Sequence, residues 1–253
     1  MTSGPPARRS LSTSSSLSPE RAAAEPISVL AETLRPLGSA LAVVAHPDDE
    51  SFGLGAVLGA LVAAGIEVRL LCLTAGEAST VGASPDLAAT RHLEVQAAAA
   101  VLGLALATLE SLPDGRLATI PRRELAGLVE RDLRGARLVV GFERRGVTGH
   151  PDHAAATGAA LAIARARGLA TLEWGVPQAV AQELRRQVGA HFSGFGNRLP
   201  APMAVRVDRT VQERAIACHP SQDPANPVLR TRLRLQGELE WLRLVPAEGR
   251  RSS

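Results

Sequence analysis

The sequence predicts an α/β protein, an open Rossmann-like three-layer sandwich with a mostly parallel sheet. Three observations lead there. Short apolar runs alternate with longer stretches of helical periodicity, the pattern of successive βαβ units. Two of those runs are followed by polar turns reading His-Pro-Asp, and open α/β sheets gather their chemistry at the carboxyl ends of strands. At 253 residues, 45% of them hydrophobic and 21% charged, the chain has globular composition and enough length for a sizeable core.

The first 26 residues, MTSGPPARRSLSTSSSLSPERAAAEP, are rich in Ser, Pro and Arg and lack apolar periodicity. Burial would not offset the cost of ordering them, so they read as a disordered tail, and residues 27–253 as a single domain. Ser39–Ala45 (SALAVVA) is an apolar run of strand length, followed by the turn HPDDES and a helix from about Gly53 to Ala64. Val68–Thr74 (VRLLCLT) is the second strand, and a helix from about Asp86 to Leu102 follows its loop. Leu104–Leu109 is a shorter strand before the turn LPDG, and Pro121 suits the first position of the next helix. Arg137–Phe142 (RLVVGF) is the next strand. Beyond it come a helix from Pro151 to about Gly168, a strand at Ala170–Trp174 and a Gly/Pro-rich stretch from His191 to Pro202. Strands at Met203–Val207 and Leu239–Val245, with helices near Val211–Cys218 and Val228–Leu235, complete the order.

Composition excludes several function classes. The longest mainly apolar stretch, Phe52–Ile66, is broken by glycines and falls short of the roughly 18 residues that span a bilayer, so no integral membrane segment is expected. The formal net charge is +3 and every cation is Arg, but the arginines are scattered. With four Phe, two Trp and no Tyr, a base-stacking platform is hard to build, and no nucleic-acid motif is present. Two cysteines, Cys72 and Cys218, are too few for a disulfide scaffold and read as core thiols of a reducing, cytoplasmic compartment.

The informative turns are AHPDDE, Ala45–Glu50, after the first strand, and GHPDH, Gly149–His153, a few residues after RLVVGF. Three of the six histidines fall within them. Singly, each turn reads as a helix cap, with Asp152 at the positive end of a helix dipole. Together they favour a metal site. Imidazole and carboxylate are ligands that Zn²⁺ accepts, and a catalytic zinc keeps three protein ligands and one open position. His46, Asp49 and His153 can supply that set, while the spare carboxylate, Asp48, suits a general base. His150 and His153, three residues apart at a helix start, can face one cleft.

AHPDDE followed about a hundred residues later by GHPDH resembles the zinc-dependent de-N-acetylases of the LmbE/PIG-L family. LLCLTAGEAS (Leu70–Ser79), RHLEVQAAAAVLG (Arg91–Gly103), LPDG (Leu112–Gly115) and ACHPSQ (Ala217–Gln222) extend the likeness over residues 39–222. The resemblance implies His46, Asp49 and His153 as zinc ligands, Asp48 as general base, and a protonated His150 stabilising the oxyanion or assisting the leaving group. It places Arg91 and Asp114 against the substrate, and His219 and Ser221 at the pocket wall. Some relatives carry a Tyr just before the second motif; Thr148 stands here instead. His92 and His191 read as structural or surface residues.

The expected reaction is hydrolysis of an N-acetyl or other N-acyl group on a small sugar or glycoconjugate, with zinc, or another divalent ion such as Fe²⁺, as cofactor. Two rivals stand beside it: an amidase acting on a thiol conjugate, and a non-catalytic Rossmann-like binder of a nucleotide or sugar phosphate. No G-x-G-x-x-G follows the first strand, which weighs against the dinucleotide form of the last. Selectivity is expected in the loops Ala75–Pro85 and Arg144–Thr148. The acyl acceptor and the oligomeric state are not legible in the sequence.

Overall fold

Strand β2 (Ser39–Val44) shows how the sequence builds the layers. Ala40, Ala42 and Val44 point to one face of the sheet, and Leu41 and Val43 to the other. A strand buried on both sides loses the usual alternation of polar and apolar residues and reads as one apolar run. The computed structural model describes residues 24–79, 81, 84–222 and 225–247. Its eight strands form one sheet in the order β1-β7-β8-β6-β5-β2-β3-β4. The others are β1 (Glu25–Pro26), β3 (Glu67–Thr74), β4 (Leu106–Leu112), β5 (Leu138–Phe142), β6 (Ala170–Gly175), β7 (Met203–Arg206) and β8 (Leu239–Val245).

The five strands β2–β6 are parallel, as expected. The sheet as a whole is mixed, because β8 runs antiparallel to both β6 and β7. Five of the seven strand pairings are parallel, so the sheet is mostly parallel as expected, and the two antiparallel pairings of β8 are the part that sequence periodicity, which carries no strand direction, does not show. The expected tail lies outside the described residues as far as residue 23. Glu25 and Pro26, also assigned to it, instead pair with Val205 and Arg206.

Helices cover both faces. On one side lie α1 (Ile27–Leu34), α3 (Gly55–Ala63), α4 (Leu87–Leu102) and α7 (Gln178–Val188), which pack Ala31, Leu58, Leu61, Val95 and Leu184 against the sheet. On the other lie α5 (Arg122–Leu133) and α6 (Pro151–Arg167), contributing Leu125, Val129, Ala156 and Ala160. Alanines on α6 let its axis approach the strands closely. Short α2 (Asp49–Phe52), then α8 (Thr210–Ile216) and α9 (Pro227–Gln236), complete the described helices.

Several sequence boundaries shift. HPDDES is not all turn, since α2 begins at Asp49 and a break at Gly53–Leu54 separates it from α3. Pro121 stands just before α5 rather than inside it. Two helices, α1 and α7, were not anticipated, although Ile27/Ala31/Leu34 and Val180/Ala181/Leu184 carry helical spacing. Cys72 is buried in the core and Cys218 is half-buried.

The topology fixes where a site can form. From β2 the chain proceeds outward through β3 and β4, then returns to β5 on the opposite side of β2. The loops leaving β2 and β5 therefore diverge and open a crevice between them, the switch point at which open α/β sheets bind ligands. Both His-Pro-Asp turns are in those loops.

Candidate metal centre

After β2 the backbone turns sharply. Asp49 Oδ2 accepts hydrogen bonds from the Ala45 and His46 amides, at 3.2 and 3.0 Å, which folds its carboxylate back over the strand end. Asp48 has φ of 112°, a conformation that costs a non-glycine residue about 1–3 kcal/mol. Three contacts hold it there. Its N–H donates to Glu50 Oε2 at 3.1 Å, and its carbonyl accepts from Ser51 and Phe52 at 3.0 and 2.7 Å.

The second turn starts α6. His150 is its N-cap, accepting the Asp152 N–H on Nδ1 at 3.2 Å, Pro151 occupies the first turn, and Asp152 faces the positive end of the dipole. The cap of this helix is thus His150, where the motif suggests the Asp. The bond from the Asp152 N–H leaves Nδ1 as the acceptor and turns Nε2 outward as the ring's donor atom. His153 Nδ1 lies 3.0 Å from the Gly146 carbonyl and 2.9 Å from Thr148 Oγ1, and its bond to the carbonyl fixes the proton on Nδ1. Nε2 is left as a free ligand atom, the usual arrangement behind a metal-bound imidazole.

The two turns meet. His46 Nδ1 is 2.9 Å from His153 Nε2, His153 Nε2 is 3.3 Å from Asp49 Oδ1, and His46 Nδ1 is 3.8 Å from Asp49 Oδ2. Two ligands roughly 2.0–2.1 Å from a zinc at tetrahedral angles stand about 3.3 Å apart, so the three side chains fit a divalent ion. Their far atoms are braced. His46 Nε2 is 3.1 Å from Asp114 Oδ1 and 3.4 Å from Asp152 Oδ2. Asp152 also accepts the Gly115 and Leu117 N–H groups, at 2.8 and 2.9 Å, and so joins the β4 turn to the start of α6.

Charges reflect this packing. Burial works against the His46 cation, but its hydrogen bonds to Asp114 and Asp152 and the Asp49 charge outweigh it and raise its pKa to about 10. Burial lowers the pKa of His153. Burial, then the neighbouring Asp49 carboxylate, pushes Asp48 up to about 8. A surplus of carboxylates around imidazoles is an environment that a cation would relieve.

The turns open on a cleft of about 570 Å³. Asp48, the exposed ring of His150, Arg91 and Asp114 all border it. Arg91 is buried, not a surface residue, and donates from Nη1 to the Gly76 carbonyl at 2.9 Å. Asp114 does border the cleft, yet its Oδ1 faces His46 and its Oδ2 accepts the Ala78 amide at 3.0 Å. His191 is exposed at the rim, and His92 is exposed on α4.

His219 and Ser221 do not reach the pocket wall. His219 is fully buried, with Nε2 2.7 Å from Glu50 Oε1, and Ser221 bonds Glu94. Ser51 Oγ also donates to Glu50 Oε1, at 2.7 Å. Glu50 and Glu94 were missed by sequence reasoning, although AHPDDE and ACHPSQ each contained one end of the network. The Arg144–Thr148 loop is anchored as it passes the cleft, which Thr148 borders: Gly146 orients His153, and the Val147 carbonyl accepts the Ser193 amide at 2.6 Å.

Gly146 offers a direct test of this bracing. Its φ is +77°, and a Cβ there would stand 2.6 Å from His153 Cβ and 2.7 Å from the Ala154 nitrogen. Gly146→Ala is expected to weaken divalent-metal binding at least about tenfold, the range for losing an outer-shell partner. Competition with a chromophoric chelator measures it. Gly38→Ala, with φ +76° and nothing within 4 Å, controls for backbone strain alone. Equal affinities in the two variants would discount the Gly146 contact.

Residues 41–164 match the family profile described as PIG-L, GlcNAc-PI de-N-acetylase, a span that contains both His-Pro-Asp turns and every residue of the ligand set. The chain carries a PIG-L family domain. A 1D-myo-inositol 2-acetamido-2-deoxy-alpha-D-glucopyranoside deacetylase of Mycolicibacterium paratuberculosis is 32% identical over 140 residues, 45% of this chain and 47% of that protein. The chain thus matches about half the length of this relative. The fold of the PIG-L domain recurs in the A40926 pseudoaglycone deacetylase Dbv21, at 22% identity and TM-score 0.60, covering 84% of this chain and 99% of that one. It recurs equally in the 4-carboxy-2-hydroxymuconate hydratase GalB of Pseudomonas putida, at 15% identity and TM-score 0.61, covering 85% and 99%. Such distant likeness establishes the fold and leaves the reaction to the residues.

Proposed function

We propose that this chain is a metal-dependent N-deacetylase that hydrolyses the acetamide of a small N-acetylated amino sugar to acetate and a free amine. The observation that carries the proposal is the meeting of His46, Asp49 and His153 from two strand ends beside the strained, half-buried Asp48, inside a PIG-L domain. The deacetylase name of the mycobacterial relative supports the amino-sugar class. Zinc bound by the three side chains supplies Lewis acidity, which polarises a carbonyl and lowers the pKa of water towards about 7; iron(II) suits the same two imidazoles and one carboxylate.

The chain's own groups do the rest. Asp48 takes a proton from the attacking water and passes it to the amine nitrogen as the C–N bond breaks, so one carboxylate serves as base and then acid. His150 donates its Nε2–H to the carbonyl oxygen as negative charge develops there. Arg91 faces the sugar from the cleft wall. Asp114, both of whose oxygens already have partners, is assigned to holding His46.

No helix among the described residues is long and apolar enough to cross a membrane. A cytoplasmic setting is part of the proposal and is supported by the two free cysteines.

A panel of N-acetylated sugars, assayed for acetate with the zinc-loaded protein, tests the reading. Acetate from none of them, with amine released from an amide of a thiol conjugate, would establish the rival amidase. His153→Ala is expected to lose its metal, as elemental analysis of the purified variant would record. Full occupancy in that variant would remove His153 from the ligand set.

A further inference from the structure

Aromatic residues are scarce in this chain, and their placement is uneven. Of the six, Phe52, Phe142, Trp174 and Phe192 border the one cleft that holds the metal ligands. The order of strands separates them from the polar groups. At one side, after β4 and β3, stand Asp114 and Arg91. The ligands follow β2 and β5 in the middle. At the other side Phe142 ends β5 and is in register with Trp174 on β6. The Phe142 ring lies 5.1 Å from the His153 ring and 5.2 Å from the Trp174 ring, so the apolar surface starts at a ligand and leads away from it. Val228 and Leu229 of α9 extend this wall. The Arg232 guanidinium, 5.1 Å from the centre of the Trp174 ring, closes its far end.

An amide held at the ligand set has two substituents, one on nitrogen and one on the carbonyl carbon, and they point in opposite directions. The Arg91 side offers hydrogen bonds suited to a sugar. The aromatic side is mainly apolar, with Asn226 Oδ1 engaged as the cap of α9 and Arg232 at the far end, and it removes hydrocarbon from water. Phe142 and Trp174 form the buried base of that wall, and acetyl, with a single methyl group, is too short to cover the half-buried Phe52, Phe192 and Val228 around it.

We propose that the aromatic wall is an acyl subsite, and that the substrate class of this enzyme extends to amino sugars bearing N-acyl chains longer than acetyl. The inference rests on the hydrolase reading above. Water adds its oxygen to the acyl carbon, the C–N bond breaks, and the water proton goes to the amine nitrogen. The products are a longer-chain carboxylate and the same free amino sugar.

The test uses the zinc-loaded full chain with N-acetyl-, N-butanoyl- and N-hexanoyl-glucosamine, following free amine. Four added methylenes, partly buried, are expected to raise kcat/KM for hexanoyl over acetyl at least about tenfold. Val228→Asp places a charge on the wall at the first turn of α9, where the helix dipole tolerates it, and Phe192→Ser thins the wall at a half-buried position. Either substitution is expected to bring the hexanoyl-to-acetyl ratio back towards one. A second readout does not need turnover: calorimetry with the Asp48→Asn variant should give a Kd for N-hexanoylglucosamine about tenfold below that for N-acetylglucosamine.

Cleavage of the acetyl sugar with no gain for longer chains would overturn the acyl subsite and leave the deacetylase reading standing. A preference for an octyl group on the sugar's anomeric oxygen, with acetyl retained, would also overturn it, since the wall would then hold the leaving group. Cleavage of no glucosamide would defeat the hydrolase reading, and equal calorimetric affinities would then overturn the subsite as well.

Discussion

Asp48→Asn is expected to keep its metal and to lose roughly a hundredfold or more in turnover, the contribution of a positioned general base. The substitution preserves shape, so the left-handed backbone at φ 112° and the N–H bond to Glu50 remain. What disappears is the capacity to accept a proton. Asp49 cannot take over, because its Oδ2 is held by two backbone amides and its Oδ1 faces His153. Metal content and kcat measured on one preparation separate the roles. Turnover within a few-fold of the parent would remove Asp48 from the mechanism, and loss of metal would make it a ligand.

The second large effect is on stability. His219→Leu is expected to cost about 3–5 kcal/mol in chemical denaturation, because it leaves the Glu50 carboxylate buried without its counter-charge. Both side chains are fully shielded from solvent. Burial raises the pKa of Glu50, but the charge and hydrogen bond of His219 outweigh it and hold the carboxyl low. Burial likewise opposes the His219 cation, and the Glu50 charge raises it. The pair therefore contributes fully between the ordinary carboxyl and imidazole ranges. Its contribution is lost as pH falls through the depressed value of Glu50, and again as pH rises through the elevated value of His219. Removing both charges in Glu50→Leu/His219→Leu should cost less than the single change, since no lone charge is then buried. A single-variant loss below about 1 kcal/mol would show that water or Ser51 satisfies Glu50 instead.

The ligand set was legible because its chemistry is local. Each His-Pro-Asp turn carries its ligands within a few residues, and each follows an apolar run that identifies it as the end of a strand. What joins the two turns was not legible, because the Asp152 contacts to His46, Gly115 and Leu117 span 35 or more positions. The same holds for Glu50 and His219, which lie 169 positions apart. Arg91 was recognised only through the family likeness, since an Arg on a helix normally faces water and here fills the space that the missing side chain of Gly76 leaves open. The parallel centre of the sheet follows from βα alternation, whereas the reversed edge at β8 depends on how the last helix returns the chain.

Asp152 touches His46 while fastening the 114–117 turn to the first turn of α6, and this limits how the protein can be re-engineered. Inserting or deleting residues ahead of Leu117 would tilt His46, whereas grafts placed from Ala118 onward leave that linkage intact. New acceptor specificities are therefore most safely introduced on the far side of that residue.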